Sequence, residues 1–294
     1  SRSEGRVQCG RLYLQCHAVP GVGKRQRIIS EGVDTMAGQA VLVVSFGTSH
    51  LDTLEKTIQP IEWDIAGRMT GRVQRRAFTS GMILRKLERR DGLHIDDVPQ
   101  ALSRLAAEGF DDVVLQPTHI MNGDEYDKLA AQTEPFREKF VRLAIGRPLL
   151  TTVQDYKVTA QVLLQVLPTR ETDTALVFMG HGTEHFANPA YCQLEYVFHD
   201  LGRTDVLVGT VEGYPGVEEV LHRLDERPGV KKVVLYPLMV VAGDHAKNDL
   251  AGDEPDSWKS RIAARGYDVK CVLSGLGEYP GIREVFVRHA EEAE

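Results

Sequence analysis

The sequence predicts an α/β fold made of two similar halves, each with a parallel sheet. Three observations carry this. Short apolar runs alternate with longer helical patterns, as in βαβ units with right-handed crossovers. The clearest of these runs are apolar throughout, as strands covered on both faces must be. One stretch also recurs. Val113-Val114-Leu115-Gln116-Pro117, five residues, then Gly123-Asp124-Glu125 is matched by Val233-Val234-Leu235-Tyr236-Pro237, five residues, then Gly243-Asp244-His245. The preceding helices match too, with Arg104-Leu105 before Gly109 and Arg223-Leu224 before Gly229. An ungapped match of this length marks an internal repeat.

In chain order, residues 40–46 are a buried strand ending in Gly47-Thr48-Ser49-His50. A helix over 52–67 follows, capped by Asp52 with Glu55 three residues on. Residues 76–79 are extended, and 82–90 are helical up to Gly92. Residues 98–108 are helical, with Pro99 in the first turn and Gly109 just past the end. A strand over 112–116 ends at Pro117, a helix spans 125–139, and 141–144 is a strand. The helix over 155–167 leads into the second half. There, 175–179, 206–211 and 269–273 are strands besides the repeated one. Each Tyr-Pro-Gly, at 214 and 279, opens a helix with proline in its first turn. The final helix, 281–291, is expected to pack back across the halves.

At 294 residues the chain has room for two domains of roughly 100–200 residues each. The spacing divides it into an N-terminal α/β domain over 39–160 and a C-terminal one over 161–294. The net charge of −7, with no basic stripe evident, argues against nucleic acid as a partner. No apolar run approaches the ~18 residues a membrane span needs. Cys9, Cys16, Cys192 and Cys271 form no CxxC pair, which suits a reducing, cytoplasmic compartment. Residues 1–38 are rich in Gly, Arg and Ser, without hydrophobic periodicity or a secretory h-region. They are read as a leader, disordered or non-native, and left out of the fold.

The chain is organised around Phe178-Met179-Gly180-His181-Gly182-Thr183-Glu184-His185. A histidine at the carboxyl end of a buried strand points into the crevice where open α/β sheets bind ligands. Three strand ends of the second half offer His181, Glu212 and His245. Two imidazoles and a carboxylate suit cobalt, zinc or iron, with coordination positions left open. Each residue also has a plainer reading. His181 would suit a turn histidine, Glu212 a helix-terminus carboxylate, and His245 with Asp244 and Asn248 a helix cap. In the repeat, Phe46 stands where His181 stands, and Glu125 where His245 stands. If the halves face each other, all four positions line one cleft. His119 is read as partly buried with a hydrogen-bond partner, and His185 as a surface residue. His94, His199, His222 and His289 sit in polar contexts and read as solvated. There is no Walker A sequence, no GxGxxG loop and no Gly-x-Ser-x-Gly elbow, so nothing marks ATP, NAD or a serine nucleophile.

Several motifs together resemble the anaerobic-type (ATP-independent, class II) sirohydrochlorin cobaltochelatase family of cobalamin biosynthesis. They are Val43-Val44-Ser45-Phe46-Gly47-Thr48-Ser49, Ala77-Phe78-Thr79-Ser80-Gly81-Met82-Ile83, and His119-Ile120 with Asn122-Gly123-Asp124-Glu125-Tyr126. The second half adds Phe178-Met179-Gly180-His181-Gly182, Val241-Ala242-Gly243-Asp244-His245-Ala246, Asp256-Ser257-Trp258-Lys259 and Ser274-Gly275-Leu276-Gly277-Glu278. The resemblance covers residues 40–294. It implies a chelatase-like fold, with two α/β domains related by a pseudo-twofold and the tetrapyrrole in the cleft. It implies active-site histidines at His181 and His245, an active-site glutamate at Glu125 and a metal-binding carboxylate at Glu212. The expected reaction is ATP-independent insertion of Co2+ into sirohydrochlorin, in a homo-oligomer. Co2+ is then a substrate, with Fe2+ possible in its place.

Three alternatives accompany this reading. Iron insertion into the same ring would give sirohaem, and the ligand set does not separate the two metals. A non-catalytic metal or tetrapyrrole carrier would need no carboxylate on the opposite wall. A zinc hydrolase would use His181, His245 and Glu212 to activate water.

Overall fold

The computed structural model describes residues 38–293. The leader expected over 1–38 lies outside them, except for Gly38, which opens the first strand. Four strands form the first sheet: β1 (Gly38–Ser45), β2 (Val73–Phe78), β3 (Phe110–Pro117) and β4 (Arg142–Ile145). Four form the second: β5 (Thr174–Gly180), β6 (Val206–Thr210), β7 (Lys232–Pro237) and β8 (Asp268–Cys271). All pairings are parallel. The orders are β2-β1-β3-β4 and β6-β5-β7-β8, so each sheet is the topological copy of the other.

The copy extends to register. Val44 pairs with Pro117 as Met179 pairs with Pro237. Ser45 pairs with Phe78 as Gly180 pairs with Thr210. Thr118 N–H donates to Val44 O at 2.9 Å, as Leu238 N–H donates to Met179 O at 2.8 Å. Phe46 therefore occupies the place of His181, Ser80 that of Glu212, and Glu125 that of His245.

Ten helices are described. The first half holds α1 (Leu51–Lys56), α2 (Ile58–Arg68), α3 (Gly81–Asp91), α4 (Val98–Ala107) and α5 (Asp124–Thr133). Next come α6 (Val153–Val166), α7 (Ala190–Asp200), α8 (Val217–Asp225), α9 (Trp258–Ala263) and α10 (Pro280–Glu291). Asp97 and Gln100 close a capping box on α4, and Gly92 ends α3 in the left-handed region at φ 63°.

Where elements differ from expectation, local chemistry accounts for it. The helix expected over 52–67 is broken at Thr57. Pro60 cannot donate a backbone hydrogen bond, and its ring would crowd the carbonyl of Lys56. The cap is His50 rather than Asp52. The helix expected over 125–139 becomes a 3₁₀ segment, Glu134–Lys139, where Pro135 interrupts it. Pro215 lies outside α8, because its carbonyl closes a tight loop by accepting from Thr210 N–H at 2.7 Å. Pro280 does open α10, as its first residue.

One core cluster draws on both halves, joining Val41, Val43, Ile61 and Ile65 to Phe178, Tyr191 and Leu276. Phe178 is its second-half centre, stacked on Phe198 at 5.7 Å and against Tyr236 at 5.4 Å. Removing such a ring costs about 3–5 kcal/mol. The helix α10 packs on α2 and α6. His289 is buried there between Asp155, 2.9 Å from Nε2, and the Arg147 carbonyl. It is not solvated, because it shares the buried face of α10 with Ile282, Val285 and Phe286.

Candidate metal centre

The central strand of the second sheet, β5, ends at Gly180, and His181 is the next residue. Its neighbours are β6, which leads to Glu212, and β7, which leads to His245. Glu212 N–H donates to His181 O at 2.8 Å, so the two side chains start from adjacent strand ends. His245 follows a loop from β7 and caps a π-helical turn, Ala246–Leu250. Topology alone thus brings together three residues that are far apart in sequence. One ligand atom from each of His181, Glu212 and His245 lies within 4.8 Å of the others. The two imidazoles meet edge to face, with centroids 4.7 Å apart. Their side chains are 45% and 39% exposed and that of Glu212 58%, so the group opens to solvent and leaves room for a further ligand.

Each imidazole is oriented by its own neighbourhood. His181 Nδ1 lies 2.9 Å from Gly182 O and so donates there, which leaves the Nε2 lone pair free. His245 Nδ1 lies 2.6 Å from Asp249 Oδ2, with the same consequence. A carboxylate behind a ligating histidine fixes its ring and raises its basicity. The strand end itself requires glycine. A Cβ at Gly180 would fall 2.2 Å from the Tyr191 ring, and Gly182 has φ +83° with Gly213 N 2.5 Å from where its Cβ would be. Tyr191 Oη accepts from Gly182 N–H at 3.3 Å, and burial pushes this phenol up to about 12, so it stays neutral.

Glu125 is outside this three-residue group. It lies in the first turn of α5, with Oε1 3.8 Å from Lys128 Nζ and Oε2 buried without a partner among the described residues. The residue before it ties the halves together: Thr183 Oγ1, two residues past His181, donates to Asp124 Oδ2 at 2.7 Å. A second clasp stands at the repeated position, where His50 Nε2 meets Asp244 Oδ1 at 2.7 Å. That hydrogen bond, helped by the charges of His50, Lys86 and Lys247, holds the Asp244 carboxyl below its usual range. The loops that follow the strand ends of the two halves therefore meet at these clasps.

Other histidines depart from expectation. The His185 side chain is only 10% exposed and its Nε2 lies 3.2 Å from Asp127 Oδ2, so it belongs to the first clasp and not to the surface. His119 is partly exposed as a residue, yet both ring nitrogens are sealed off without a partner among the described residues. Burial, aided by the Lys128 ammonium, pushes its pKa down to about 4. His94 and His222 are exposed as expected. Sequence reasoning missed Asp249 and both clasps. Asp249 had one available signal, its place one helical turn after His245, while the clasps join residues with no spacing relation.

The two halves differ in donors. At the positions of His181, Glu212 and His245 the first half has Phe46, Ser80 and Glu125. Ser80 caps α3, its Oγ accepting from Ile83 N–H at 3.4 Å. Groups able to ligate a metal are gathered on the second sheet, and a lone carboxylate and an aromatic ring on the first.

Comparison with known proteins bears on this geometry. The family model described as cobalt chelatase (CbiK) matches residues 39–294. A sirohydrochlorin cobaltochelatase of Salmonella typhimurium is 48% identical over 255 residues, which is 87% of this chain and 96% of that protein. The sirohydrochlorin cobaltochelatase CbiKC of Nitratidesulfovibrio vulgaris is 36% identical over 263 residues, 88% of this chain and 91% of that one. Among solved structures, SirB from Bacillus subtilis with Fe3+ superposes with a TM-score of 0.61 at 14% identity, covering 87% of this chain and 95% of that one. That likeness establishes the shared fold.

Proposed function

The chain belongs to the cobalt chelatase (CbiK) family, and on that premise we propose that it inserts Co2+ into sirohydrochlorin without ATP. The observation that carries this is the convergence of His181, Glu212 and His245 within 4.8 Å at adjacent strand ends. Two neutral imidazoles and a carboxylate hold a borderline divalent ion in an open site. In this reading His181 and His245 bind Co2+ through Nε2, and Glu212 binds it and offsets its charge. Insertion replaces two pyrrole protons of the ring with one metal ion, so the protons must leave as the ion enters. Glu125 accepts one proton from the opposite wall, and the other passes to solvent water at the open site. The reading includes operation in the cytoplasm and as a homo-oligomer. Among the described residues, no helix is long and apolar enough to cross a membrane.

The test is spectroscopic. Protein, sirohydrochlorin and Co2+ are mixed without nucleotide, and the macrocycle absorption is followed against a protein-free control. The expected result is protein-dependent conversion to the cobalt complex, with Fe2+ run in parallel. Conversion no faster than in the control would overturn the proposal.

A further inference from the structure

The sequence shows no basic stripe, but the fold exposes one. On α3, Met82, Arg85, Lys86, Arg89 and Arg90 recur at one-turn spacing and line an open groove of about 370 Å3. All five are exposed, while Leu87 on the inner face is buried. Arg90 is neutralised by Asp91 at 2.7 Å and donates to Ser49 O at 2.5 Å, which pins this helix to the loop after β1. Among the described residues, Arg85, Lys86 and Arg89 take part in no ion pair. Three cations without an ion-pair partner among the described residues stand out on one short helix in a chain whose net charge is −7.

Their position is set by the strand ends. The helix α3 begins at Gly81, directly after Ser80, the residue that occupies the place of Glu212. Arg85 folds back over that start, its Nη1 lying 3.2 Å from where a Cβ on Gly81 would be. Lys86 lies within electrostatic reach of Asp244, the residue before His245. Ser49, held by Arg90, precedes His50, which closes the clasp onto Asp244. The stripe therefore runs from the rim of the cleft outward, on the wall opposite the metal-binding residues.

We propose that Arg85, Lys86 and Arg89 of α3 form the subsite that holds peripheral carboxylates of the tetrapyrrole, with exposed Met82 against the edge of the ring. This rests on the reading of the chain as a sirohydrochlorin chelatase. Sirohydrochlorin carries several carboxylates around a flat apolar macrocycle. Unpaired guanidinium and ammonium groups at a cleft edge match that charge, and arginine adds bidentate geometry. Substrate enters with its carboxylate rim on α3 and its inner nitrogens towards His181 and His245. The subsite orients the ring and takes no part in metal binding.

The test is the triple variant R85Q/K86Q/R89Q, compared with wild type and with K157Q/K231Q/K270Q, which carries the same change of charge at exposed lysines elsewhere. Cobalt insertion is measured against sirohydrochlorin concentration and against Co2+ concentration. The α3 variant should show a KM for sirohydrochlorin raised about tenfold or more, weaker dependence of that KM on salt, and an unchanged KM for Co2+. The control variant should stay near wild type. An α3 variant with wild-type KM for sirohydrochlorin overturns the subsite. So does an equal rise in the control, which would assign the effect to net charge. Inactivity of the wild type in the same assay would count against the chelatase reading, and the two failures are thus distinguishable.

Discussion

His245 Nδ1 lies 2.6 Å from Asp249 Oδ2, one turn further along the same helical segment. The carboxylate fixes the ring by its Nδ1, and one atom of that ring lies within 4.8 Å of a ligand atom of both His181 and Glu212. Asp249→Asn keeps the shape and loses the charge. Cobalt affinity without tetrapyrrole is expected to fall about 10- to 100-fold. Calorimetric titration of Co2+ into wild type and variant checks this, and equal affinities would mean that Asp249 does not support the ligand.

Glu125 and His245 hold equivalent places in the two halves but different donors. If Glu125 receives a proton during insertion, Glu125→Gln slows insertion about 100-fold or more, while cobalt binding without tetrapyrrole stays unchanged. If Glu125 only favours the start of α5, the variant loses about 0.3–1 kcal/mol of stability and turns over normally. Insertion rate and melting temperature measured on one preparation separate the two.

Gly182 must remain glycine. Its φ of +83° and the 2.5 Å approach of Gly213 N leave no room for a methyl group. Gly182→Ala is expected to cost about 1–3 kcal/mol of stability and to displace His181. Urea unfolding together with cobalt titration tests this. A variant with both properties intact would show that the loop after β5 relaxes freely.

His119 gives a pH dependence with a defined sign. Its folded-state pKa, about 4, is below the ordinary 6.5. Between those values the unfolded chain binds more protons, so stability falls as pH falls through that window and is complete above it. From pH 7 to pH 5 the expected loss is about 2 kcal/mol. His119→Gln removes that share of the acid sensitivity. Urea unfolding of both proteins at the two pH values measures it, and identical losses would show that His119 titrates normally.

Much of this architecture is legible in the sequence, because its strongest signals are local. The run from Val113 and its copy from Val233 fixed two equivalent strand-turn-helix units, and the sheets repeat in the same order. His181, Glu212 and His245 could be named because each follows an apolar strand, and strand ends in a parallel sheet share one edge. The misses depend on what chain segments meet in space. The helix α7 begins at Ala190, after Pro189, with no side-chain cap to announce it. His289 looks solvated until α10 is laid against α6. The stripe on α3 is masked by Ile83, Leu84 and Leu87, which interleave with it and turn to the other face.

The central claim is that His181 and His245 hold the ion being inserted. Both side chains are half exposed, so replacing either with alanine opens no core cavity and should leave the melting temperature near wild type. The direct measurement is the rate of cobalt insertion by His181→Ala and His245→Ala at saturating sirohydrochlorin. The account predicts that each falls to about one hundredth of wild type or below. Either variant inserting cobalt at the wild-type rate while folded would contradict it.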